Sequence, residues 1–217
     1  MTSIIIPFMM LRRIGMSLTT MALLVSLASC SILPQSEPVQ LLDPQLPAPP
    51  ISEQSTSWTL NVTRPESDPV RDSTRVLIRT NEGQLQVHSR ARWVAAGPEL
   101  LRTLLVRHLR DARALTQVSS GASGSDRTLA LDLRHFELVE TATKQLQAEI
   151  QIEARLYDSR STKLLSRDLF KALQPVGGIG SAQIIEGFED VLGEIIPAIA
   201  EWLTGHDKQA KTETGSD

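Results

Sequence analysis

Apolar and polar residues alternate most cleanly between Leu146 and Leu156. Leu146, Ala148, Ile150, Ile152, Ala154 and Leu156 are separated by Gln147, Glu149, Gln151, Glu153 and Arg155. That period of two predicts a strand with one face in a core and the other polar. The same rhythm marks Trp58–Val62, Arg75–Arg79, Gln84–His88 and Thr128–Glu140, with Leu129, Leu131 and Leu133 on one face of the last. Asn81-Glu82-Gly83 is a turn signal that makes 75–88 a hairpin. Thr116–Val118 is a short strand, and Arg64–Ser73 and Ser119–Arg127 are loops. Asp158–Thr162 turns the chain back into Lys163–Leu173, so the three strands from 128 to 173 form an antiparallel meander.

Two segments change to helical spacing. From Pro98 to Ala114, Leu101, Leu104, Leu105, Leu109 and Ala112 share one face, while Arg102, Arg107, Arg110 and Arg113 spread over the rest. Pro98 suits a first helical turn, and Glu99 suits the positive helix end. After a glycine-rich connection, Pro175–Gly180, Ile184, Phe188, Val191, Leu192, Ile195, Ile199 and Trp202 form a second stripe. Ser181 is the predicted N-cap, and Pro197 predicts a kink eased by Gly193 four residues earlier. The stripe predicts core against a sheet rather than a helix lying on a membrane. The element order predicts an α+β fold: a mostly antiparallel sheet with two amphipathic helices packed on one face.

The first thirty residues follow other rules. Arg12 and Arg13 precede a charge-free run from Ile14 to Leu27, which ends in Leu27-Ala28-Ser29-Cys30. A positive head, an apolar middle and small residues before a cut make a secretory signal, too short for a transmembrane span. Cys30 is the only cysteine in 217 residues. With Leu27, Ala28 and Ser29 as a lipobox, its thiol takes a diacylglyceryl thioether, and its freed amine takes an N-acyl chain. More than one chain is needed for a stable anchor. Met10 is an alternative start that would give a more ordinary signal. Residues 30–57 hold six of the twelve prolines and predict an extended tether, in which Val39-Gln40-Leu41-Leu42 alone could join a sheet edge. The organisation expected is therefore signal 1–29, lipidated cysteine and tether 30–57, folded domain 58–204, and a polar, disordered tail 205–217.

Removal of residues 1–29 takes Arg12 and Arg13 and no acid, shifting the formal charge from −3 to −5. An acidic chain without a basic footprint argues against nucleic-acid binding. Chemistry is sparse. His88, His108, His135 and His206 include no i,i+4 pair and no HExxH, so no metal ligand is assigned. There is no GxSxG elbow. Gly177-Gly178-Ile179-Gly180-Ser181 resembles a phosphate cradle but lacks the P-loop lysine, and is read as a flexible joint. Strict alternation sends Asp132 and His135 to opposite faces of their strand, which is poor for an acid–base pair. Asn61-Val62-Thr63 is a sequon by pattern only. No catalytic residue, metal or cofactor beyond the covalent lipid is expected, and no enzyme. Arg102, Arg107 and Arg110 are the candidate partner-binding residues, for a protein or a phospholipid headgroup, against the plainer reading of a solvated helix face. Trp93 is read as a buried strand-end residue rather than a contact.

Several weak motifs in a fixed order carry a resemblance. Asp72–Ile78 with Arg75-Val76-Leu77-Ile78, then Arg92-Trp93, the helix Leu100–Leu109, the strand Leu129–Phe136, Phe170, Pro175 and Trp202-Leu203 together resemble the ABC-type transport auxiliary lipoproteins, the group that includes the lipoprotein of the paraquat-inducible system. The resemblance spans about residues 39–203. Two departures are the lack of a tyrosine in Val39–Leu42 and of alanines around Ile184–Gly187. It implies a non-catalytic component of a lipid or hydrophobic-solute transport system. The implied partners are a periplasmic protein with mammalian-cell-entry (MCE) domains and, indirectly, an inner-membrane ABC permease and ATPase. Phospholipid and further copies of the chain are additional candidates. Ser31, rather than aspartate, after the cysteine favours the periplasmic face of the outer membrane. The alternative expectation is a structural or assembly-chaperone envelope lipoprotein for an outer-membrane protein.

Overall fold

The computed structural model describes residues 38–53, 55–121 and 124–214, with side chains no further than Gly205. The lipobox and Cys30 lie outside the described residues. From Val39 onward the chain forms a single unit. Its elements are β1 (Gln40–Leu42), β2 (Thr59–Val62), β3 (Arg75–Arg79), β4 (Leu85–Trp93), α1 (Gly97–Asp111), β5 (Gln117–Ser119), β6 (Arg127–Glu140), β7 (Leu146–Asp158), β8 (Leu164–Val176) and α2 (Ser181–Thr214). The bounds of α2 include the segment from 205 whose polar composition predicts a tail.

The meander is the backbone of the sheet. β6, β7 and β8 pair antiparallel along almost their whole length. β7 buries Ala148, Ile150, Ile152, Ala154 and Leu156 completely, as alternation requires. Pro175 is tolerated inside β8 because that strand pairs only with β7 among the described strands, so a missing N–H can face outward. Beyond the meander the sheet departs from expectation. β2 and β3 both pair parallel with β6, β2 pairs parallel with β5, and β1 pairs parallel with β4. The sheet is therefore mixed, not mostly antiparallel. Alternation reports burial and says nothing about strand direction, and the crossover from β2 to β6 runs through the hairpin and α1.

The opposite edge of β6 is shared between two strands. β2 takes its start, at Arg127–Leu129, and β3 its end, at Leu138–Val139. The loop between them follows the middle of β6: Glu66 N–H donates to Leu131 O at 2.8 Å and Glu66 O accepts from Leu133 N–H at 2.8 Å. A register slip between Leu133 and His135 makes a β-bulge at Arg134. It keeps Leu129, Leu131 and Leu133 on the same buried face as Phe136 and Leu138.

The helices close the core. α1 starts without a side-chain cap but with proline in its first turn, and buries Leu100, Leu101, Leu104, Leu105, Val106 and Leu109. Each such side chain contributes about 1.5–3 kcal/mol of burial. Phe188 of α2 meets Phe136 of β6 and Trp93 of β4 with ring centroids 5.0 and 4.7 Å apart. Trp93 is 1% exposed, a core residue. Ser181 opens α2 but donates its hydroxyl to Gln40 Oε1; the turn is entered through Gly180 O, which accepts Ile184 N–H at 3.0 Å. The N-cap expected of Ser181 is replaced by a link to β1.

Residues 39–53 and 55–57 of the proline-rich segment are tied down at several points. Leu42 is buried, and its carbonyl accepts from Val94 N–H. Gln45 N–H donates to Glu189 Oε1 on α2 at 2.8 Å, while its side-chain oxygen accepts from Arg107 on α1 at 3.3 Å. Ser52 N–H and Thr56 N–H donate to Ala112 O and Ala114 O, just past the end of α1. Past β1, prolines deprive this stretch of sheet bonding, but its few remaining amides are used to strap it across both helices.

Candidate functional site

The three arginines singled out in α1 come together. Arg102, Arg107 and Arg110 line a groove of about 440 Å³, with Glu99, Thr103, Val106, Asp111 and Ser120. Helical spacing explains the gathering: 102, 106 and 110 stack along one side, with 103 and 107 beside them. Arg102 is tied to Glu99 at 2.7 Å. Arg107 and Arg110 donate to neutral oxygens, Gln45 Oε1 at 3.3 Å and Val118 O at 3.1 Å, so their charge is not cancelled. The groove thus offers two held but uncompensated guanidinium groups beside an apolar Val106 and acids at its two ends. This arrangement can receive a carboxylate or phosphate, or an acidic side chain of a protein partner.

Other candidates resolve into structural roles. The bulge at Arg134 overturns the reading that Asp132 and His135 point to opposite faces; both share the polar face, opposite Glu153 and Gln151. They still do not pair. Asp132 binds Arg134 at 3.2 Å, and His135 Nδ1 lies 3.2 Å from Glu137 Oε1. Glu137 is fully buried and is held by Arg71 and by Arg79 at 2.7 Å. Neighbouring Glu149 is held by Lys171 at 2.8 Å. Burial works against Arg71's charge, yet its hydrogen bonds and ion pairs with Asp68 and Glu137 raise its pKa. Alternation marks Glu137 and Glu149 only as polar-face residues; Glu137 is reached by Arg71 from the 64–73 loop, which sequence periodicity does not place, and Glu149 by Lys171 and His135 from the neighbouring strands.

Asn61 accepts Gly121 N–H at 2.9 Å, so its side chain serves the fold. The glycine-rich joint is pinned: His88 Nε2–H donates to Ile179 O at 3.0 Å, and Arg90 N–H donates to His88 Nδ1 at 3.3 Å, which fixes the tautomer. Among the described residues, no group of three or more His, Asp or Glu is placed to hold a metal ion. Among the same residues, no helix is long and apolar enough to cross a membrane. Leu27, Ala28, Ser29 and Cys30 lie outside the described residues.

Residues 40–200 match the family described as the ABC-type transport auxiliary lipoprotein component. The chain belongs to this family. A crystal structure of a Xanthomonas campestris protein is similar, at 24% identity and a TM-score of 0.75, covering 80% of this chain and 99% of that one. An uncharacterized protein of known structure is similar at 17% identity and a TM-score of 0.61, covering 77% and 99%. At such identities these likenesses speak for the fold alone. No curated protein matches. For an auxiliary lipoprotein of ABC-type transport, the matched span begins at β1, in agreement with the strap being part of the domain, and it contains the whole α1 groove.

Proposed function

We propose that this lipoprotein is a non-catalytic docking component of an ABC transport system that moves lipid or another hydrophobic solute through an MCE-domain conduit. Its anchor is the diacylglyceryl and N-acyl lipid on Cys30, in the periplasmic face of the outer membrane. Its partner surface is the α1 groove, and the MCE-domain protein is the partner. The permease and ATPase are engaged through that protein rather than directly.

The observation that carries this reading is the state of Arg107 and Arg110: both are exposed, held by neutral acceptors, and presented on a helix whose other face is buried in the core. An acidic patch on a partner would meet guanidinium groups already oriented, which lowers the ordering cost of docking. The test is the variant Arg102→Glu, Arg107→Glu, Arg110→Glu, expressed in its own host beside the wild type. The proposal expects loss of most MCE-protein capture with an unchanged circular dichroism spectrum. Unchanged capture removes the groove as the docking site.

A further inference from the structure

Nine residue steps separate Cys30 from Val39, where the structured unit begins. Fully extended, they reach about 30 Å. With Cys30 lipidated, the strapping of residues 39–57 shortens the expected tether to a third of its sequence length and holds one end of the domain within that reach of the membrane. That end is the β1 edge.

This edge is both basic and partly apolar. β1, β3 and β4 carry Arg75, Arg79, Arg90 and Arg92 and no acidic residue, although the whole chain is net negative. Glu82 in the hairpin turn and Asp43 after β1 are the flanking acids. Arg79 is engaged with Glu137, while Arg92 gives one guanidinium nitrogen to the neutral oxygens of His88 and Ala91. Five large aliphatic side chains stand out of the same edge: Val39, Leu41, Leu85, Val87 and Ile179, each between 37% and 68% exposed. The register places Leu41 beside Arg92, and Val39 immediately precedes the first pair, Gln40 with Ala91. Leu85 lies opposite Arg79. His88 brings Ile179 to the same end through its carbonyl, and Ser181 holds Gln40 there.

Aliphatic tips interleaved with arginines, on the side where a short lipidated tether enters, fit the headgroup layer of an anionic bilayer. The tips enter the boundary with the acyl chains, and the guanidinium groups meet phosphates. We infer that the β1–β4 edge, with Val39, Leu41, Leu85, Val87 and Ile179, seats on the membrane that holds the protein's own anchor. This sets the domain's orientation and leaves the α1 groove to the partner. The inference rests on the lipid anchor proposed above.

The test uses the full-length, lipidated protein reconstituted in vesicles. Once Cys30 is a thioether, an introduced cysteine is the sole free thiol. Leu41→Cys and Ile179→Cys, with Lys163→Cys in the far β7–β8 turn as the reference, are labelled with an environment-sensitive dye. In vesicles containing phosphatidylglycerol, labels at 41 and 179 shift to the blue, and spin-labelled lipid quenches them severalfold more than the label at 163. Arg75→Glu combined with Arg90→Glu, raised salt, or pure phosphatidylcholine vesicles reduce that quenching severalfold. Equal quenching at 41, 179 and 163, or quenching indifferent to charge and lipid, overturns the inference. The intact mass separates the two ideas. An unacylated Cys30 overturns the anchor and this inference together, whereas an acylated chain with unshifted labels overturns the inference alone.

Discussion

Glu137 illustrates how much of this surface is decided by single side chains. A carboxylate with no exposure is tolerated because Arg71, Arg79 and His135 converge on it. Removing a partner leaves a buried charge uncompensated, which typically costs 3–5 kcal/mol. Arg71→Met should therefore cost about 3 kcal/mol in urea unfolding, the low end, because Arg79 remains. His108, half-buried on α1, behaves differently. Burial holds its pKa below the ordinary value, with Asp111 opposing. The folded state binds its proton less readily than the unfolded state, so the His108 contribution is fully present above about pH 6.5 and is lost as the pH drops below that value. An NMR titration should give His108 a midpoint below about 6.5, and His108→Gln should flatten the stability profile as the pH falls below that value. The sequence made Asp132 and His135 look separated and Glu137 look solvated. Both impressions assumed unbroken alternation and an open face. One inserted residue, Arg134, and one loop, 64–73, changed both.

At the scale of elements, periodicity was a good guide to existence and a poor one to partnership. β6, β7 and β8, both helices and the 75–88 hairpin follow from apolar spacing. The parallel pairings of β1, β2 and β3 do not, since a three- to five-residue strand has no signal for direction. The proline-rich segment shows the same limit. Its prolines read as a spacer, whereas a few amides between them fix it to α1 and α2. Hydrogen exchange should accordingly find the amides of Ser52 and Thr56 protected, in a stretch that a free tether would leave unprotected. Gly187 makes a related point. Within α2, a glycine costs about 1 kcal/mol in helix propensity relative to alanine. Here a Cβ would stand 2.5 Å from Val176 Cγ2, so the helix approaches β8 too closely for a methyl group. Gly187→Ala should lower stability by about 1–2 kcal/mol rather than raise it, and Gly187→Ala combined with Val176→Ala should cost less than the sum of the two single changes.

The molecule as a whole presents separate chemistries on separate surfaces. The α1 side carries arginines on neutral acceptors, and the β1–β4 edge carries arginines among aliphatic tips. The family and the α1 arginines were legible in the sequence, because order of motifs and helical spacing survive without tertiary detail. The edge was legible only in part: Val39–Leu42 could be read as a segment able to join a sheet edge, but not the parallel pairing with β4 or the register that brings Leu41 beside Arg92. Since the α1 arginines make only surface contacts, their triple charge reversal should change thermal stability by no more than about 1–2 kcal/mol. Loss of partner capture could then be assigned to docking. The central claim is most directly tested by purifying the tagged lipoprotein from its own host in mild detergent and identifying by mass spectrometry what accompanies it. A docking component of an MCE-type transport system brings an MCE-domain protein in stoichiometric amount; an outer-membrane barrel protein in that place, or the lipoprotein alone, contradicts the account.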